Sequence, residues 1–104
     1  MAAISVAQYK VQPGKEPELV ALRTQMKPLL AKHGLSSRLF GSLLAGQSVG
    51  LYSAVAEAAD LAALATGLQN LFADPAYQAL NARLIGADGV ATVVSFSQAT
   101  EVAL

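Results

Sequence analysis

Four β-rich segments and two helical regions follow one another in the order β-α-β-β-α-β, and that order is the strongest constraint on the fold. Ala3–Val11 (AISVAQYKV) is rich in β-branched residues and partly alternating, so it reads as a strand closed by the Pro13-Gly14 turn. A helix is predicted from about Glu16 to His33, where Leu19, Leu22, Met26, Leu29 and Leu30 recur at spacings of three and four. Pro17 suits its first turn, and Gly34 supplies a left-handed stop. Pro28 removes one backbone hydrogen bond inside the helix and predicts a kink. Leu35–Leu44 and Ser48–Val55 then read as a hairpin around Gly46. A helix over Ala58–Ala73 and a shorter one restarting at Asp74-Pro75 and ending near Leu84 precede a last strand over Val90–Gln98.

Within 104 residues this order specifies one domain spanning 1–104 with the ferredoxin-like, split-βαβ arrangement. The expected product is an α+β fold: a four-stranded antiparallel sheet in the order 4-1-3-2, with helices on one face only. The uncovered face matters because the strands carry apolar residues on both sides, which a monomer with one solvated face does not require. Only 13% of residues are charged, and seven Lys+Arg balance seven Asp+Glu. A charge-poor, neutral surface favours association, so a homodimer through the second sheet face is expected.

The same numbers exclude several classes of function. No net positive charge is present to displace counterions, which argues against a nucleic-acid binder. Every apolar run is interrupted well before 18 residues, so no membrane partner or transmembrane span is expected. There is no cysteine, hence no disulfide and no thiolate ligand, and a cytoplasmic setting is the default. No phosphate-loop, dinucleotide-binding, nucleophile-elbow or His-Glu-x-x-His pattern occurs. Acidic pairs such as Glu16 with Glu18 and Glu57 with Asp60 fall at helix starts, where they complement the dipole rather than gather a metal.

Three segments carry a family resemblance: Tyr9-Lys10-Val11-Gln12-Pro13-Gly14-Lys15 ahead of a long helix, Val49-Gly50-Leu51-Tyr52 in the hairpin, and Ala73-Asp74-Pro75-Ala76-Tyr77-Gln78-Ala79-Leu80 in the second helical region. Together with the element order they resemble the dimeric α/β-barrel superfamily. That superfamily includes antibiotic-biosynthesis monooxygenase-like, NIPSNAP-like, stress-responsive A/B-barrel and muconolactone isomerase-type proteins. The resemblance implies two sheets packed face to face and a ligand cleft between each sheet and its own helices. It implies either a cofactor-free oxygenase, cyclase or isomerase acting on an aromatic or polyketide-like molecule, or a non-catalytic dimeric module. A haem-handling role ranks last, since only His33 or a tyrosine could serve as axial ligand.

For individual residues the sequence leaves alternatives open. His33, the only histidine, is either a general base or a cap at the end of its helix. In the hairpin, an odd number of loop residues such as Ala45–Gln47 would bring the aliphatic sets onto one face. Arg38, Phe40 and Tyr52 would then share the other face. A guanidinium and two rings among small residues resemble a pocket lining, with Arg38 holding an acidic oxygen, Phe40 supplying apolar surface and Tyr52 acting as a hydrogen-bonding acid. The competing reading has Arg38 reaching to solvent while the rings pack.

Overall fold

A computed structural model describes residues 1–41 and 51–104. The chain forms β1 (Ala3–Val11), α1 (Glu16–Lys32), β2 (Ser36–Gly41), β3 (Leu51–Ala58), α2 (Leu61–Phe72), α3 (Pro75–Ile85) and β4 (Ala91–Thr100). The strands make one sheet in the order β2-β3-β1-β4, every pair antiparallel, as the element order predicts. The hairpin loop expected around Gly46 lies outside the described residues.

Local chemistry sets the element ends. α1 runs through Pro28 and stops at His33, after which Gly34 takes φ +79°. α2 begins at Leu61, three residues later than the apolar spacing suggests. The carboxylate of Asp60 accepts the Ala63 amide at 2.8 Å there, and the residues before it extend β3. Asp74 caps α3 in the same way, accepting the Ala76 amide at 3.0 Å, with Pro75 in the first turn.

The two sides of the sheet differ in bulk. Ala3, Ser5, Ala7 and Tyr9 of β1 sit opposite Ala58, Ala56, Ala54 and Tyr52 of β3, and this face is buried under the helices. Its small side chains let Leu19, Leu22, Met26 and Leu30 of α1, with Leu64, Leu68 and Leu71 of α2, press close to the strands. The bulkier Ile4, Val6, Leu51 and Val55 occupy the other face, which none of the described helices covers. The molecule is accordingly a slab of 37 × 36 × 18 Å, one sheet and one helical layer thick.

Candidate functional site

The β2–β3 register overturns the expected hairpin face. Gly41 lies opposite Tyr52, Leu39 opposite Ala54 and Arg38 opposite Val55. Ten residues therefore separate Gly41 from its partner, an even number where the shared face required an odd one. Tyr52 points to the helical side, against Gly41, while Arg38 and Phe40 belong to the uncovered side. There the Arg38 guanidinium stacks over the Phe40 ring, 5.0 Å from its centroid. Arg38, Phe40 and Tyr52 do not line one cleft. The expected register gathered the aliphatic residues of both strands on one face; in the structure Leu39 shares a face with Ala54, while Leu51 and Val55 share the other with Arg38 and Phe40.

His33 is engaged with Asp74. It caps α1, and its Nε2 lies 2.9 Å from Asp74 Oδ2, joining the end of α1 to the start of α3. Lys32 approaches the same oxygen at 3.6 Å. The hydrogen bond from His33, followed by the one from the Ala76 amide, holds the Asp74 carboxyl below its ordinary value. Asp74 is thereby fully committed within the fold, as cap and as bridge.

The helix–sheet cleft instead converges on a residue that the sequence reading passed over. Arg23 lies on the buried stripe of α1, four residues after Leu19 and three before Met26, and is only 8% exposed. One guanidinium nitrogen donates to Ser37 Oγ at 3.0 Å and the other to Met26 Sδ at 3.3 Å. Its Nε–H has no partner among the described residues. No carboxylate pairs with it among the described residues, and segment 42–50 contains no acidic residue. A buried cation without a counter-ion is costly to the fold.

Tyr9 and Tyr77 flank this guanidinium. Burial pushes both phenols above their ordinary value, with Arg23 opposing the shift at each and Tyr77 reinforcing it at Tyr9. Both therefore stay protonated at neutral pH and can donate a hydrogen bond. With Ser5, Ala7, Ala54, Ala56, Leu68 and Leu71 they line a cavity of about 40 Å³. At its rim stand Phe72 and Phe96, exposed by 47% and 53%. Phe72 meets Tyr77 at a centroid distance of 5.9 Å. The arrangement is two half-exposed rings at the mouth, small apolar walls, and a cation with two phenols inside. Neither an imidazole nor a carboxylate is part of the lining. Among the described residues no three potential ligands gather as a metal site, and no helix is long and apolar enough to cross a membrane.

No family model and no curated protein sequence matches the chain. Solved structures do. Rv0793 from Mycobacterium tuberculosis superposes with a TM-score of 0.69 at 16% identity, over 100% of this chain and 98% of that one. The cofactor-independent oxygenase SnoaB from Streptomyces nogalater gives 0.67 at 18% identity, over 96% and 92%. A NIPSNAP domain protein from Burkholderia xenovorans gives 0.68 at 16% identity, over 98% and 94%. The chain has the antibiotic-biosynthesis monooxygenase-like and NIPSNAP fold. At these identities the likeness carries the backbone fold and not the side chains within the cleft.

Proposed function

We propose that this chain is a cytoplasmic homodimer that binds a mostly apolar, aromatic or polyketide-like small molecule in its helix–sheet cleft, with an acidic oxygen of the ligand against Arg23. The observation that carries this reading is the buried, counter-ion-free guanidinium between two protonated phenols, reached past two half-exposed aromatic rings. Such a cradle stabilises an enolate or phenolate. Cofactor-free oxygenation, cyclisation and isomerisation all pass through an anion of that kind, and SnoaB is a cofactor-independent oxygenase of the same fold. Because the lining holds no general base, the substrates that suit it are those acidic enough to ionise unaided or through water.

The second copy has a place to sit. The uncovered face presents Ile4, Val6, Leu51, Val55 and the half-exposed ring of Phe40. Four strands of this length present roughly 20 × 30 Å. With side-chain relief this approaches the ~800 Å² per partner of a stable interface.

A non-catalytic binding module is the second reading, favoured by the small cavity volume of about 40 Å³. Titration with 2-naphthoic acid and its neutral amide, followed by NMR, tests the cleft as the binding site. The cleft reading expects saturable shifts at Tyr9, Tyr77 and Phe96, and an affinity for the acid about tenfold or more above that for the amide. Equal affinities, or no shift in the cleft, would overturn it. Oxygen uptake with an electron-rich polycyclic phenol then divides catalyst from module.

A further inference from the structure

A second opening also reaches Arg23. Between α1 and the edge strand β2 runs a groove of about 340 Å³ lined by Val20, Arg23, Thr24, Lys27, Ser37, Arg38 and Leu39. Arg23 and Lys27 bring two positive charges to this groove, Arg38 touches it from the uncovered side where its guanidinium stacks on Phe40, and none of the seven acidic residues lines it. Arg23 and Lys27 are four residues apart on one helix, so their like charges face each other across a single turn, an arrangement that weakens an isolated helix. Neither is relieved by an ion pair: among the described residues the pairs are Lys15–Glu18, Lys32–Asp74 and His33–Asp74, and 42–50 offers no carboxylate. The Ser37 hydroxyl that receives the Arg23 guanidinium belongs to the same wall.

We propose that this groove is an oxyanion site, which takes a phosphate or carboxylate group between Lys27 and the outer side of Arg23. An anion there turns the repulsion between successive helical turns into a bridge and gives the buried guanidinium the counter-charge the fold withholds. Lys27 contributes a mobile point charge, Arg23 a fixed planar donor, and Ser37 holds the guanidinium in position. The inference does not depend on the inner cleft being occupied, because Phe72, Tyr77 and Phe96 take no part in this groove.

The test is a titration of the ¹⁵N-labelled protein with inorganic phosphate at constant ionic strength, following the Arg23 Nε–H resonance and the amides of Thr24, Lys27, Ser37 and Leu39. Saturable shifts at these positions are expected, weakened about fivefold by Lys27→Gln and abolished by Lys27→Glu. Phe96→Ala at the cleft mouth should leave phosphate binding unchanged, and Lys27→Gln should leave 2-naphthoate binding in the cleft unchanged. Phenyl phosphate and acetate distinguish the sources. Phenyl phosphate binding much more tightly than phosphate assigns the site to an organic ligand's acidic group, and equal affinity assigns it to the free oxyanion. Linear, unsaturating shifts, shifts identical in Lys27→Gln, or shifts confined to Tyr9 and Tyr77 would overturn the proposal.

Discussion

Replacing Arg23 by methionine should make the protein more stable while removing its affinity for anions. The side chain is 8% exposed, donates to Ser37 and to a thioether, and leaves its Nε–H unmet. Taking a guanidinium out of water costs several kcal/mol even after relaxation, and the unmet donor adds about 1–3 kcal/mol. Against this, the Ser37 hydrogen bond returns roughly 1.5–3 kcal/mol, and the sulfur contact little. Methionine keeps the aliphatic stem against Leu19, Leu22 and Met26 and carries no charge. Ser37, which is only part-buried, can turn to water. The balance favours the variant by roughly 1–3 kcal/mol, or about 5–15 °C in Tm for a domain of this size.

The assay is thermal unfolding of wild type and Arg23→Met at one protein concentration, with and without saturating naphthoate or phosphate. Wild type should be raised by the ligands through preferential binding to the folded state, and the variant should not respond. Arg23→Ala is the control, since the void it leaves should lower Tm whatever the charge does. An Arg23→Met protein that melts more than about 5 °C below wild type would show the guanidinium to be a structural strut, and the anion-site reasoning would fall with it.

Gly67→Ala should destabilise by about 1–3 kcal/mol in denaturant melts, although alanine is the better helix former, because its Cβ would stand 2.8 Å from the His33 carbonyl oxygen and from Leu35 Cδ2. Asp74→Asn should lower stability at neutral pH. The deficit should shrink as pH falls below the ordinary carboxylate value of 3.8, because a carboxyl held below that value adds stability above it and loses it on protonation. Val6→Glu, at the centre of the uncovered face between Val55 and Ser97, should convert a dimer of twice 10.7 kDa into a monomer by light scattering. A wild type that is itself monomeric at micromolar concentration would refute the face-to-face assembly.

The backbone was legible because each element is announced locally: the leucine stripe of α1, the Asp-Pro restart of α3, and the turn glycines at 14 and 34. The strand order followed from connection lengths. The site was not legible, for two physical reasons. Register depends on the parity of the hairpin connection, and the preference for one wholly aliphatic face selected an odd loop where the strands pair across an even one. Arg23 was hidden because charged residues are normally read as the solvent side of a helix. Its position, four after Leu19 and three before Met26, placed it within the apolar stripe all along. A charge at a stripe position was the available signal. Tyr9 and Tyr77 stood inside the segments that carry the family resemblance, with nothing in the sequence to mark either as a cleft residue.

The alanine-rich sheet face and the buried cation have a common consequence. Small residues bring the helices so close to the strands that only about 40 Å³ remains in the cleft, little more than the volume of a single water. A naphthalene-sized ligand would therefore have to part the mouth, where the rings of Phe72 and Phe96 stand half-exposed. Opening admits water to the guanidinium as well, so an uncharged apolar molecule would open the cleft without relieving Arg23. An acid relieves it on closing. Selectivity for acids over their neutral isosteres thus arises from the closed state, and should appear as slower dissociation rather than faster association. Stopped-flow displacement of naphthoate and naphthamide would measure it: equal off-rates with unequal on-rates would place the discrimination at the mouth instead of at Arg23.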